Sequence, residues 1–153
     1  MQYWLMKSEP DEVSIDDLAR NGTVPWFGVR NYQARNFMRD AMQIGDLAFF
    51  YHSGCAEPGV AGICEVCSEP YPDATQFEPA SPYFDPKSTL ENPRWLLRDV
   101  RFGEKTRYVP LTELRTYAEL ANMRLLARGN RLSITPVSAE EWAFITQQLM
   151  DLK

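Results

Sequence analysis

Residues 26–37 read Trp26-Phe27-Gly28-Val29-Arg30-Asn31-Tyr32-Gln33-Ala34-Arg35-Asn36-Phe37, a segment rich in aromatic rings, guanidinium groups and side-chain amides. A hydrophobic core needs none of these polar groups, and a solvated loop has little use for the rings. Flat rings stack on planar ligands, while amides and guanidinium groups bind polar edges. The segment therefore predicts recognition of a nucleobase or of a similar planar ligand.

The composition is that of an ordinary soluble globular protein. Its 153 residues are 44% hydrophobic and 24% charged, which predicts a single domain over residues 1–153 with a sizeable core. No apolar run is long enough to span a bilayer, and residues 1–7 lack the features of a signal peptide. We therefore expect a cytoplasmic protein with no membrane partner, whose three cysteines are reduced thiols.

The net charge of −5 argues against a general nucleic-acid binder, because binding through counterion release needs an excess of Lys and Arg. The basic residues are unevenly distributed, however. Five lie within residues 94–107, and Arg124, Arg128 and Arg131 form a second group with no acid among them. If these segments meet on one face they form a local positive surface. Scattered, solvated charges are the alternative.

Short strands alternate with short helices along the chain. Apolar runs and alternation predict strands at 3–6, 46–51, 59–67 and 94–102, and the run at 46–51 is typical of a strand buried on both faces. Helices are expected to begin at Ser14, Asn31, Thr112 and Ser138. Asp17 and Glu141 lie three residues after Ser14 and Ser138, which predicts a capping box at each of these two starts. Such short, irregularly spaced strands do not suit a doubly wound parallel sheet. The pattern favours an α+β fold, with a small, curved, mixed sheet or barrel flanked by helices.

A metal site is weakly supported. His52, Cys55, Cys64 and Cys67 have spacings that zinc ligands use. Cys64 and Cys67 lie in a predicted strand, however, where residues three apart point to opposite faces. We therefore predict buried apolar cysteines, no metal and no cofactor.

Catalysis is also weakly supported. His52 is the single histidine, and its neighbour Ser53 would face away from it in a strand. No nucleophile elbow, Walker loop or dinucleotide fingerprint is present. Lys7 and Glu9 at a strand end are conceivable as a catalytic pair, although a simple turn explains them better. No catalytic residue is predicted.

Binding remains as the function of the 26–37 segment. Gly28 permits a tight turn that leaves two rings near the start of the next helix, where Arg30 and Asn31 also lie. A helix N-terminus favours an anion or a carbonyl oxygen. The end of a core strand supplies a further ring, an imidazole and a hydroxyl at residues 51–53. Core packing of Trp26 and Tyr51 is the alternative.

Several motifs follow one another in an order that resembles a known family. Besides residues 26–37, they are Trp4-Leu5-Met6-Lys7-Ser8-Glu9-Pro10, Gly45-Asp46-x3-Phe50-Tyr51-His52-Ser53, Gly59-x-Ala61-Gly62-Ile63, Tyr83-Phe84-Asp85-Pro86-Lys87-Ser88, Asn92-Pro93-Arg94-Trp95 and Arg131-Leu132-Ser133-Ile134. Together they resemble the EVE domain, which is related to the PUA, YTH and ASCH folds. The resemblance covers nearly the whole chain, which begins directly at the domain, as the stand-alone bacterial form does.

The resemblance implies a PUA-like mixed or antiparallel β-barrel flanked by short helices. It also implies a non-catalytic pocket for a single, modified, cytosine-type nucleobase flipped out of DNA or RNA. Trp26 or Tyr51 would stack on the base, and Asn31 and Ser8 would read its polar edge. The phosphate would be held by Arg30, Arg35 and Arg131. The implied pocket residues are Lys7, Ser8, Trp26, Val29, Arg30, Asn31, Tyr32, Arg35, Tyr51, His52, Ser53, Arg131, Leu132 and Ser133.

Two alternatives remain open at this point. The acidic balance and the lack of a basic arm suit a short or free ligand, or a small anion among the arginines, better than a long nucleic acid. An ASCH-type amidohydrolase would act on a modified nucleoside with Lys7 and Glu9. In each case we expect a monomer.

Overall fold

Residues 1–152, which the computed structural model describes, form eight strands and four short α-helices. Six strands form one sheet in the order β2-β7-β4-β3-β1-β8, and β5 pairs with β6 in a separate ribbon. The strands are β1 (Tyr3–Ser8), β2 (Thr23–Pro25), β3 (Leu47–His52), β4 (Gly59–Val66), β5 (Tyr71–Pro72), β6 (Leu96–Leu97), β7 (Asp99–Pro110) and β8 (Ile134–Val137). The helices are α1 (Ile15–Asn21), α2 (Tyr32–Asn36), α3 (Leu111–Leu114) and α4 (Ala139–Ala143).

The central strands are buried on both faces, which confirms the prediction for residues 46–51. Side chains alternate along a strand, so Trp4 and Phe50 belong to one core cluster, while Leu5 and Phe49 belong to the other. The first cluster is covered by α1 and α2, and the second by α3 and α4. Two apolar layers therefore hold the sheet rigidly between the helices.

The parallel pairing of β1 with β3 sets up one end of the sheet. Its register places Lys7 beside Tyr51 and Ser8 beside His52. The backbone N–H of Ser53 donates to the Ser8 carbonyl at 2.9 Å, and that of Lys7 donates to the Ser133 carbonyl at 2.8 Å. The ends of both strands and the segment before β8 therefore meet at one edge.

Both predicted capping boxes are present. The Ser14 hydroxyl accepts from the Asp17 N–H at the start of α1, and the Ser138 hydroxyl accepts from Glu141 N–H at the start of α4. The helix predicted from Asn31 to about Ala41 is confirmed in extent but changes type, because α2 passes directly into a π-helical turn at Phe37–Ala41. No helix within residues 1–152 is long and apolar enough to cross a bilayer.

The single strand predicted at 94–102 is wrong, because Arg98 interrupts it. The Arg98 side chain is 3% exposed and donates to the carbonyls of Met38, Met42 and Ser68 at 2.5, 2.7 and 3.1 Å. Leu96 and Leu97 pair with β5 on one side of this break, and Asp99 begins β7 on the other. A buried cation satisfied by carbonyls therefore separates two strands that alternation alone had joined.

The sheet is mixed, with β1–β3 as its parallel pair and antiparallel ladders elsewhere. Its edge strands are β2 and β8, each of which contains a proline, as edge strands tolerate. No ladder joins these two edges within the described part of the chain. The α+β class is confirmed, whereas the closed barrel that the resemblance implies is not.

Candidate functional site

A cavity of about 270 Å³ lies at the edge where β1 and β3 end. The loop after β1, the segment after β2 and the residues before β8 complete its walls. It combines apolar rings with groups of both charges, which are the means of binding a polar planar ligand. Its lining residues are Lys7, Ser8, Glu9, Glu12, Val13, Pro25, Trp26, Phe27, Ser53, Arg131 and Ser133.

Lys7 brings a cation into this cavity without a carboxylate partner. It is half-buried at the end of β1, and its Nζ atom lies 6.0 Å from the centre of the Tyr51 ring. Burial lowers the pKa of the Lys7 ammonium group below its usual range. No ion pair of Lys7 forms among residues 1–152. The ammonium group is therefore available to a carbonyl or anionic oxygen of a ligand.

Three serines line the same cavity as Lys7. Ser8 Oγ donates to the Val13 carbonyl at 2.7 Å, which ties the loop after β1 to the strand. Ser53 and Ser133 follow β3 and precede β8, and they line the same cavity. The backbone bonds that hold the strand ends together therefore also set the spacing of these hydroxyls.

Trp26 and Phe27 supply the aromatic wall. Trp26 is 6% exposed and meets the Phe50 ring edge-on at 5.3 Å. Phe27 is half-buried and meets the Tyr83 ring at 5.7 Å and 73°. Trp26 therefore packs in the core and also lines the cavity. For this residue, core packing and a place at the site are not exclusive alternatives.

Two carboxylates in the cavity, Glu9 and Glu12, were not predicted as binding residues. The sequence pattern indicated only that Glu9 belongs to a turn or forms a catalytic pair with Lys7. The Tyr83 hydroxyl donates to Glu12, at 2.6 Å from Oε1 and 2.7 Å from Oε2. This contact joins residues 71 positions apart, so no local pattern could indicate it.

Arg30 does not line the cavity. Its guanidinium group donates to the Tyr83 carbonyl at 3.0 Å from Nε and 2.8 Å from Nη2, to Asp73 Oδ2 at 3.1 Å and to Thr75 Oγ1 at 3.0 Å. Burial pushes the pKa of Asp73 upward, but hydrogen bonds from Gly28, Thr75 and Arg30 outweigh it and hold that pKa below its usual range. Arg30 therefore fastens the 73–83 segment to the loop after β2.

Asn31, Tyr32 and Arg35 also lie away from the cavity. The Asn31 side chain caps α2 by accepting from Ala34 N–H at 3.1 Å. Tyr32 stacks on Trp95 with ring centres 4.8 Å apart, and the Arg35 guanidinium lies 4.7 Å from the Tyr32 ring. Contacts within the protein therefore account for these aromatic and polar residues of the 26–37 segment.

The remaining predicted residues are part of the core or of its hydrogen bonding. Val29, Tyr51 and Leu132 are 4%, 2% and 9% exposed and do not line the cavity. His52 Nε2 accepts from the Ile15 N–H at 3.1 Å, which requires the proton on Nδ1. Burial lowers the pKa of His52, so its imidazole stays neutral.

The structure thus brings six of the fourteen predicted residues to one cavity. Two come from the end of β1, one from the aromatic wall, one from the end of β3 and two from the segment before β8. The other eight lie in the core, at a helix cap or in contacts with the 73–95 segment. The six are Lys7, Ser8, Trp26, Ser53, Arg131 and Ser133.

The four residues with zinc-like spacing do not form a cluster. Cys64 is fully buried in β4, and burial raises its pKa to about 12, whereas Cys55 is exposed. No group of three His, Cys, Asp or Glu side chains within the described residues is close enough to hold a metal ion.

Comparison with known proteins shows the family to which the chain belongs. The model of the EVE domain family matches residues 2–148, and the chain belongs to that family. Thymocyte nuclear protein 1 of Homo sapiens is 47% identical over 163 aligned residues, which cover 94% of this chain and 72% of the human protein.

Solved structures share the fold closely. A crystal structure of a Pseudomonas syringae protein is 49% identical with a TM-score of 0.92, and the match covers 95% of this chain and 98% of that one. The crystal structure of human THYN1 protein in complex with 5-methylcytosine-containing DNA is 45% identical with a TM-score of 0.91, covering 100% and 99%. A Zymomonas mobilis ASCH protein, at 10% identity and a TM-score of 0.53, is alike in fold alone.

Proposed function

We propose that this protein is a non-catalytic binding module whose cavity accepts one flipped-out, modified, cytosine-type base of DNA or RNA. The observation that carries the proposal is the joining of an aromatic wall, Trp26 and Phe27, with the unpaired ammonium group of Lys7 in one cavity. The human THYN1 protein in complex with 5-methylcytosine-containing DNA, at 45% identity, supports the same ligand class.

The size of the cavity suits a single base. Sites for drug-sized ligands start at roughly 300 Å³, and this cavity, at about 270 Å³, lies just below that range. Ser53 and Ser133 add hydroxyls that both donate and accept. A base has a polar edge and two apolar faces, which match the polar and aromatic walls.

The energetics of such binding are favourable. Extruding a base from a duplex costs a few kcal/mol, which is least for a base that is already unpaired. Stacking on an aromatic side chain returns about 1–3 kcal/mol, and hydrogen bonds of the base edge add to this. Stacking on Trp26 or Phe27, with hydrogen bonds to the polar groups that line the cavity, would offset the cost of extruding the base.

The acidic balance of the chain favours few phosphate contacts. Arg131 is exposed and lines the cavity, so it is the candidate for a phosphate next to the flipped base, or for a small anion. With a net charge of −5, the remaining surface attracts a long strand poorly. The base, more than the backbone, would supply the affinity.

The test is a fluorescence-anisotropy titration with labelled oligonucleotides that carry one central cytosine or one central 5-methylcytosine. We expect tighter binding of the modified strand, and a salt dependence that corresponds to one or two phosphate contacts. Equal affinity for both strands at low salt would overturn the proposal.

A hydrolytic reaction on a modified nucleoside is the second candidate, because Lys7 and Glu9 line the same cavity and burial lowers the pKa of Lys7. A lowered pKa increases the fraction of the amine that is available as a general base. Incubation with acylated and methylated nucleosides tests it. Turnover by the wild-type protein that disappears in Lys7→Ala would establish hydrolysis over simple binding.

A further inference from the structure

Glu12 is an exposed residue at the cavity whose carboxylate has one hydrogen-bond partner within residues 1–152, the Tyr83 hydroxyl. It lies in the loop between β1 and α1, and both of its oxygens lie within 2.7 Å of the Tyr83 hydroxyl. A phenol that donates to a carboxylate restricts its rotation but leaves lone pairs on both oxygens. Glu12 therefore presents a fixed acceptor to a ligand in the cavity.

Tyr83 is itself held from several sides. Gly28 has φ +85°, and a Cβ atom there would lie 2.8 Å from the Tyr83 ring, so only glycine admits the ring so closely. The Tyr83 carbonyl accepts two hydrogen bonds from Arg30, whose guanidinium also pairs with the buried Asp73 at 3.1 Å. The 26–37 segment thus fixes the position of Tyr83, and through it that of Glu12.

The Tyr83 hydroxyl is a lasting donor in this arrangement. Burial and the Glu12 carboxylate raise the pKa of Tyr83 to about 12, so the phenol keeps its proton throughout the physiological range. Because the phenol supplies the proton of this hydrogen bond, the lone pairs of Glu12 that it leaves free can accept from a ligand.

Cytosine and thymine differ in the group that such an acceptor would meet. Cytosine presents an exocyclic amine that donates, whereas thymine presents the O4 carbonyl at the same position. Two acceptors that face each other repel, and a thymine O4 enclosed in the cavity would give up its hydrogen bond to water without meeting a donor at Glu12. A fixed carboxylate therefore favours cytosine-type bases over thymine-type bases, independently of any methyl group on C5.

We propose that Glu12 selects cytosine-type over thymine-type bases in this cavity, and that Tyr83 is its positioning residue. The inference rests on the proposed function and names the residue that distinguishes the base. Glu9 is the less suitable carboxylate, because its side chain packs against Gly54, where a Cβ atom would lie 2.4 Å from its Oε1.

The test compares single-stranded oligonucleotides with one central 5-methylcytosine or one central thymine, which differ only at this edge of the base. Single strands remove differences in pairing energy between the probes. We expect Glu12→Gln to lower the preference for 5-methylcytosine about tenfold, because an amide offers both donor and acceptor. Glu119→Gln, at an exposed glutamate away from the cavity, is the matched control and should leave the ratio unchanged.

Tyr83→Phe separates positioning from packing, because it removes the hydroxyl and keeps the ring against Gly28. We expect a several-fold loss of preference for 5-methylcytosine, with no change in salt dependence and an unchanged melting temperature. Tyr71→Phe is the matched control, since the Tyr71 hydroxyl donates to Asp99 at 2.5 Å outside the cavity. Equal losses in both variants would contradict a positioning role for Tyr83.

The outcomes distinguish the two proposals. The role of Glu12 alone would be overturned if the wild-type protein prefers 5-methylcytosine to cytosine while Glu12→Gln still discriminates against thymine as the wild type does. A wild-type protein that does not separate 5-methylcytosine from cytosine would overturn the proposed function. Both proposals are supported if the wild-type protein prefers 5-methylcytosine to cytosine and to thymine, and if Glu12→Gln loses only the preference over thymine.

Discussion

Lys7 and Tyr51 lie side by side on the parallel strands β1 and β3, with the Lys7 Nζ atom 6.0 Å from the centre of the Tyr51 ring. Tyr51 is 2% exposed and belongs to the core, while Lys7 lines the cavity. The contact therefore joins the buried sheet to the candidate site. A cation supported by a ring, with no carboxylate partner among the described residues, is suited to a ligand oxygen.

Lys7→Met should weaken binding of a 5-methylcytosine oligonucleotide by about tenfold or more, because a hydrogen bond from a charged donor contributes about 1.5–3 kcal/mol. The free energy of unfolding should stay the same or increase, since methionine removes a half-buried charge. Anisotropy titration and urea denaturation measure the two quantities. Lys87→Met, at an exposed lysine, should change neither.

Arg30 and Arg131 should respond differently to mutation, although both were predicted to hold phosphate. Arg30→Lys should lower the free energy of unfolding by about 2–3 kcal/mol, because lysine cannot replace the bonds to the Tyr83 carbonyl, Asp73 and Thr75. Arg131→Ala should leave stability unchanged and reduce the slope of log affinity against log salt by about one. The reverse pattern would place the phosphate contact at Arg30.

Trp26 should matter to both stability and binding. Trp26→Ala should lower the free energy of unfolding by about 3–5 kcal/mol, because the ring is almost fully buried. Trp26→Phe keeps a smaller ring and should reduce the preference for a modified base while the protein still folds. Retained discrimination in a folded Trp26→Ala protein would rule out a contribution of this ring to base binding.

His52 should make stability depend on pH. Burial lowers the pKa of His52 below its ordinary value of about 6.5, so the unfolded chain binds a proton at a pH where the folded protein does not. The free energy of unfolding should therefore fall as the pH drops below about 6.5, until the folded protein also takes up the proton. Denaturation curves between pH 7 and pH 5 measure this effect.

His52→Gln is the control for that pH dependence, because a glutamine oxygen can still accept from the Ile15 N–H but does not titrate. Its stability should be nearly flat where that of the wild type falls. His52 is the only histidine, so no other imidazole contributes. An unchanged pH profile in the variant would assign the effect to carboxyl groups.

Much of the fold could be predicted because its signals are local. The capping boxes at Ser14 and Ser138 and the apolar run at 46–51 depend on residues close in sequence, and all three are confirmed. The strand break at Arg98 could not be predicted, because its carbonyl partners lie 30 to 60 residues away. The alternation of side chains over residues 94–102 predicted one strand, where the structure has β6 and the start of β7.

The site was harder to predict, for the same reason. Lys7 and Ser133 meet because β8 pairs with β1 across most of the chain, and only the family resemblance indicated them together. Arginine is a residue type that binds phosphate, which is why Arg30 was predicted as a phosphate contact. In the structure its guanidinium group is bonded to Asp73 and to the Tyr83 carbonyl instead. The residue types were enough to predict a polar binding site. Only the tertiary contacts show which of these residues line the cavity and which hold the fold together.

A crystal structure of this protein with a short oligonucleotide that carries one 5-methylcytosine tests the central claim most directly. We predict that the modified base lies in the cavity against Trp26, with its polar edge towards Lys7 and Glu12. A base stacked instead on the exposed Tyr32 surface, with the cavity empty, would contradict the claim that this cavity is the base-binding site.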